Sequence, residues 1–362
     1  MMPVNYAGIK PGLLLELMPA LTYSWKSQQE EGSMQTTENR VSPSLTLKYG
    51  ITPQLVMDAT VNPDFSQIEA DAGQIDVNLR YQLYFPEKRL FFQEGSEHYK
   101  IGATLSSTLD PVRSMIHNRN IVSPVAGTKL SGKVGSKNSL ALLYAADRIP
   151  AEEQVNEDRV KHVPVLRYKR SLKEDGFVGG IYTGRISGAA GNHAGGVDGQ
   201  FRLNGSTLLE YHAFGSSSCD SVNTSQGGAL GVYLHSGTRD LDYSLTAKHV
   251  SEEFRNEVGY ITRTGISYFT GLIKPKLYPK SELFRKFELE LFSGQLRDNI
   301  YSMWETFNHV SVLAMLGRSN YAKVKYSYST EIFLGKKFNT GGYHAMIDSQ
   351  ISKKLSAGIL YR

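Results

Sequence analysis

The dominant pattern along the chain is strict alternation of apolar and polar residues, the period of a strand with one buried or lipid-facing side. Over 44–49, Leu45, Leu47 and Tyr49 oppose Ser44, Thr46 and Lys48. Over 54–62, Leu55, Met57, Ala59 and Val61 oppose Asp58, Thr60 and Asn62. The clearest run is 76–85, where Val77, Leu79, Tyr81, Leu83 and Phe85 oppose Asp76, Asn78, Arg80, Gln82 and Tyr84. Similar runs recur around 140–144, 241–248, 286–291 and 322–329. Residues 301–316 fit a strand or a short helix, and their β surroundings favour the strand.

A fully polar face on strand after strand suits a barrel with a wet lumen and an apolar exterior. At roughly 22 residues per strand and connection, the chain holds about 14 to 18 strands. The expected fold class is therefore all-β, an antiparallel transmembrane β-barrel spanning residues 1–362 as a single domain. Short turns at 49–53 and 135–138 contrast with polar stretches at 26–40, 150–161, 187–199 and 215–228, which read as long loops. The Gly-rich run 188–199 reads as a mobile connection, since no GK[ST] ending makes it a phosphate loop.

Composition narrows the classes. Forty Lys and Arg against 35 Asp and Glu give +5, with no basic block, so no nucleic-acid partner is expected. The single Cys219 excludes an internal disulfide and a Cys-based metal site. Twenty-one Tyr against two Trp suit strand positions at a membrane interface, because the ring packs in an apolar layer while the hydroxyl reaches water. No run of 18 apolar residues exists to make a membrane helix. The N-terminus lacks the basic start and apolar stretch of an export signal, so an exported protein would be represented by a mature form, a fragment or a wrongly started reading frame.

Charge and aromatic residues concentrate in 61–95, VNPDFSQIEADAGQIDVNLRYQLYFPEKRLFFQEG. Its VNPDFSQIEAD and LYFPEKRLFFQEG resemble the signature of a bacterial outer-membrane family of unknown function. In that family a C-terminal β-barrel domain often follows an N-terminal carbohydrate-binding-type β-sandwich. LKYGITPQLVMDATVNPDF, GTKLSGKVGSKNSLALLYA and FRNEVGYITRTG agree with it, in order, from Leu45 to Gly265. Leu90 and Gln93 depart from the family's usual Pro and Leu. The resemblance implies an outer-membrane location and a role as pore, transport component or surface anchor. Partners would be outer-membrane lipid, glycans, or an exported domain or protein. A sugar-related role would rest on the module that this chain lacks.

The candidate site is a structural, luminal ionic network of Asp64, Glu69, Asp71, Arg80, Glu87, Arg89 and Glu94, with Glu87 and Arg89 on one strand face of a hairpin and paired with acidic residues of 64–71. Luminal Lys48, Arg80, Lys133, Lys323 and Lys325 would favour anionic solutes. Three other chemistries are weighed against this. Oxygen ligands at 62–71 suit Ca²⁺, but their spacing matches no EF-hand or nonapeptide repeat, and a turn rich in Asx and Glu is the plainer account. Asp64 and Glu69 as a glycosidase pair need a separation of about 5–10 Å that sequence does not fix. The nine His residues form no HxxxH or HExxH pair, and Gly265-Ile266-Ser267 opens no nucleophile elbow. No cofactor, metal or catalytic residue is expected. A glycan-active hydrolase or carbohydrate-binding protein using carboxylates of 64–94, and a soluble β-rich scaffold, are the alternatives.

Overall fold

The computed structural model describes residues 12, 14–30, 33–63, 84–104, 110–149, 159–220, 223–317 and 320–362. Nearly all of it is strand. In chain order these are β1 (Leu15–Glu30), β2 (Ser33–Thr52), β3 (Leu55–Val61), β4 (Val112–Ser114), β5 (Pro124–Val134), β6 (Asn138–Arg148), β7 (Val160–Ser171), β8 (Phe177–Ser187), β9 (Ala190–Asn204) and β10 (Thr207–Cys219). They continue as β11 (Thr224–Gly237), β12 (Leu241–Val250), β13 (Tyr260–Ile261), β14 (Ile266–Leu277), β15 (Phe284–Asp298), β16 (Met303–Leu316), β17 (Tyr321–Phe333), β18 (Lys336–Ser352) and β19 (Leu355–Tyr361).

Seventeen of these strands make one antiparallel sheet in which each strand pairs with the next along the chain. The short β4 and β13 pair only with each other, inside. Among the described residues β1 pairs with β2 alone and β19 with β18 alone, so the wall keeps a seam between its first and last strands.

The two faces of the wall differ as the alternation predicts. Leu17, Leu45, Leu166, Val232, Leu245, Ile273, Val324 and Ile347 are exposed on the outside. Their sequence neighbours Lys48, Arg167, Thr246, Lys248 and Lys325 turn inward. No helix is long and apolar enough to cross a membrane.

Three expectations change. The inner face is not polar on every strand: Ala141, Leu143 and Ala145 of β6 and Val163 and Val165 of β7 are buried there, because inserted chain packs on them. The stretches 26–40, 187–199 and 215–228 are mostly strand rather than long loop. Small residues there let backbone approach backbone. A Cβ on Gly102 would lie 2.7 Å from the carbonyl oxygen of Gly199, and one on Gly227 would lie 2.3 Å from the nitrogen of Phe254. Finally, residues 84 and 85, the end of the expected 76–85 strand, are irregular rather than strand. Residues 84–89 are irregular and lead to a one-turn helix, Leu90–Gln93, consistent with the fixed φ and missing N–H of Pro86. The rest of that strand, and most of 150–161, lie outside the described residues.

The long connections enter from one end. Residues 62–123 link β3 to β5 and 251–265 link β12 to β14, at the end where β3 and β12 finish. At the opposite end the connections are as short as 53–54, 205–206 and 353–354. The two insertions meet where β4 pairs with β13, and Tyr84, His117 and Tyr260 cluster with ring centroids 5.2 to 5.4 Å apart.

Candidate functional site in the lumen

The inserted chain is gripped by wall side chains from strands that are distant in sequence. On β5, Lys129 donates to the carbonyls of Phe91 (2.6 Å) and Glu94 (2.8 Å) while its ammonium lies 3.3 Å from Asp58 of β3. On β7, Arg167 makes a bidentate pair with Asp198 of β9 and donates to the carbonyl of Lys100 at 3.0 Å. Asp198 in turn accepts from the Gly102 N–H at 2.8 Å. On β10, Glu210 accepts from the Ala103 N–H (2.7 Å) and His212 Nδ1 donates to the Gly102 carbonyl (3.0 Å). On β12, Lys248 meets both oxygens of Asp110 at 2.7 Å. Grips from β5 round to β12 on one short segment show that the sheet curls about it.

These charges are dry. Arg167, Asp198, Lys248 and Asp110 have side chains no more than 1% exposed. Ions that far from water persist only when paired and hydrogen-bonded, and each here has both. An apolar cluster of Met115, Phe214, Phe254 and Ile266 fills the space beside them, and a second forms around Phe92, Ile121 and Val258. Both clusters also include wall residues, so 84–104, 110–123 and 251–265 form a plug whose core is shared with the wall.

The residues expected to form an ionic network divide into two groups. Asp64, Glu69, Asp71 and Arg80 lie outside the described residues. Glu87 and Arg89 pair with each other at 2.7 Å, and Arg89 also donates to the carbonyls of Asn118 and Ile121, both at 2.6 Å. The pair thus closes the plug on itself. Burial alone would raise the Glu87 carboxyl, but hydrogen bonds from the Arg89 side chain and backbone hold it below its ordinary value. Glu94 reaches Lys48 of β2 at 2.8 Å and tethers the plug to the wall. Lys129, Arg167, Asp198, Glu210, His212 and Lys248 were not singled out from sequence. Their signal was a charge on the same alternating face as buried residues, as in Val163, Val165, Arg167.

Beyond β12 the described charged contacts between plug and wall are those of Arg263. The inner faces of β14, β15 and β16 carry Lys274, paired with Glu290 at 2.7 Å, Lys286 with Glu288 at 2.5 Å, and His309 with Glu290 at 2.7 Å. Lys323 and Lys325 on β17 make no ion pair among the described residues. Where the plug ends, Arg263 bridges to Asp298 (2.5 Å) and Glu305 (2.8 Å), beside a cleft of about 220 Å³ lined by Tyr268, Phe292 and Phe307. No cluster of potential metal ligands occurs among the described residues.

Wall and plug define a class: an antiparallel β-barrel wall, unsealed between β1 and β19, with part of its lumen filled by its own chain. Residues 11–136, which take in β1 to β5 and the first plug segment, match the family described as "Domain of unknown function (DUF5916)". No curated protein matches the chain. Solved structures similar to it include the following two. The crystal structure of Acinetobacter baumannii OccAB1 has 11% identity, a TM-score of 0.37, and coverage of 96% of each chain. Wzi of Escherichia coli is described as an outer membrane protein involved in group 1 capsule assembly and a carbohydrate-binding beta-barrel. It has 11% identity and a TM-score of 0.35, over 95% of this chain and 83% of that one.

Proposed function

We propose that the protein is a bacterial outer-membrane β-barrel that passes small solutes along its unfilled wall, past a plug made from its own chain. The observation that carries this reading is the reversal of polarity across the wall. Exposed Leu, Ile, Val and Tyr lie outside, and charged or hydrogen-bonded side chains lie inside. In hydrocarbon such a sheet satisfies its backbone within the wall and places its charges where water or inserted chain can meet them. Outer-membrane lipid is then the partner of the outer face. Lys323 and Lys325, which make no ion pair among the described residues, favour anions on the open wall, because low-dielectric walls focus their field into the lumen.

Planar-bilayer recordings on the refolded protein test the reading. Discrete conductance steps with anion preference are expected. Failure to insert, or purification as a water-soluble monomer without detergent, would refute the barrel pore, and cation selectivity would refute the role given to Lys323 and Lys325.

A further inference from the structure

Two adjoining clefts open at the end of the wall where both plug segments enter, with volumes of about 590 and 480 Å³. They share Arg185, Arg255 and Glu257 in their linings. Arg119 and Arg263 border the larger, and Lys161 and Asp220 the smaller, so among the charged lining residues cations outnumber carboxylates five to two.

Arg255 combines a fixed main chain with a side chain that makes no hydrogen bond or ion pair among the described residues. Its backbone N–H donates to Ser216 Oγ and its carbonyl accepts from Asn192, both at 3.0 Å, so the main chain is fixed against β9 and β10. Its side chain nevertheless stays exposed. The guanidinium makes no ion pair among the described residues, although Glu257 follows two positions later. Arg185, by contrast, is partly engaged: it donates to the Asn120 carbonyl at 2.9 Å and lies 3.7 Å from Asp147, while its buried Nε has no partner among the described residues. A planar guanidinium with free N–H groups matches carboxylate and phosphate oxygens bidentately. Glu257, the carboxylate common to both clefts, is an acceptor for hydroxyl donors.

We propose that this mouth binds a solute bearing both an oxyanion, carboxylate or phosphate, and hydroxyl groups, with Arg255 and Arg185 on the oxyanion and Glu257 on a hydroxyl. The inference deepens the pore reading by naming the class of solute; binding itself stands without that reading, and only the passage of the bound solute through the wall rests on it. FRNEVGYITRTG then gains a role beyond packing: Phe254 and Val258 anchor it in the plug while Arg255 and Glu257, between them, face the cleft.

Titration calorimetry on the full chain in detergent, with glucuronate, glucose 6-phosphate and unmodified glucose, tests the site. One acid or the other is expected to bind about tenfold or more tightly than glucose, and the preference between them identifies the oxyanion. Arg255→Gln is expected to weaken that binding about tenfold. Its exposed side chain makes no contact on which folding depends, and unchanged heat-modifiable migration on a gel confirms the fold. Equal binding of glucose, no binding of either acid at millimolar concentration, or undiminished binding by the Arg255→Gln protein overturns the proposal. Binding without conductance refutes the pore and leaves the site; conductance without binding does the reverse.

Discussion

The wall from β3 to β12 and the wall from β14 to β18 are built from the same alternating strands, yet they are stabilised differently. On the first, inner side chains meet inserted chain: Arg167, Lys248 and Asp198 are buried, and valines and alanines stand where a wet lumen would call for polar residues. On the second, inner charges meet one another at the water's edge, as Lys274 does with Glu290 at 23% and 16% exposure. The difference shows that the strand pattern sets only which residues face inward. What then occupies the lumen decides whether an inner charge is a fastener or part of a surface.

The largest test of that contrast is to remove one partner from an ion pair on each wall. Arg167→Met leaves Asp198 buried with the Gly102 N–H as its remaining described partner, and should cost about 3–5 kcal/mol. Lys274→Met on the open wall should cost about 1 kcal/mol or less, because water still reaches Glu290. Guanidinium unfolding midpoints in detergent measure both, and equal losses would erase the distinction. A second pair compares aromatic residues. Phe254→Ala empties a site that is 1% exposed, at a cost of about 3 kcal/mol or more. Phe307→Ala, at 36% exposure beside the open cleft, should cost roughly 1 kcal/mol.

The wall was legible in the sequence because alternation is a local property. Leu45 to Tyr49, Leu241 to Lys248 and Ala322 to Ser329 can each be assigned a face without knowing the partner strand. The plug was not legible, because its defining contacts span long separations: Lys248 meets Asp110 and Arg167 meets Lys100, and nothing near either residue in sequence announces the other. Of the candidate site, the direct Glu87–Arg89 contact was not foreseen, while the expected pairing with 64–71 lies outside the described residues. A bidentate contact with Glu87, two residues away, needs the irregular backbone after Pro86, which a strand reading of 84–89 cannot supply. The stretches expected to be loops failed for a related reason. Gly and Ser usually mark turns, but at Gly199 and Gly227 they mark where the plug's backbone touches the wall.

The smallest expected effect is on pH dependence, and it is read on the plug. His117 lies between Tyr84 and Tyr260, where burial holds its imidazole below the ordinary value. The cations Arg119, Arg113 and Arg89 act in the same direction, and Glu87 opposes them. In the unfolded chain the imidazole takes up a proton near pH 6.5. Below that pH the unfolded state binds more protons than the folded one, so stability falls as pH falls, until the depressed folded value is reached. Glu87 acts later and in the same sense. Its folded carboxyl titrates lower than its unfolded one, so its contribution is complete above about pH 4.5 and is lost as pH drops through the folded value. Acid should therefore loosen the plug in two stages while the outer wall holds. Hydrogen exchange at the amides of Ile116 to Ile121, corrected for intrinsic rate, should quicken first below about pH 6.5. His117→Phe should weaken that first stage, leaving the share of His98, whose imidazole burial also depresses, and keep the second. Exchange in β18 and β19, away from both His117 and the His309–Glu290 pair, accelerating over the same pH range would mean that acid opens the whole barrel, and that the two walls do not differ in what holds them.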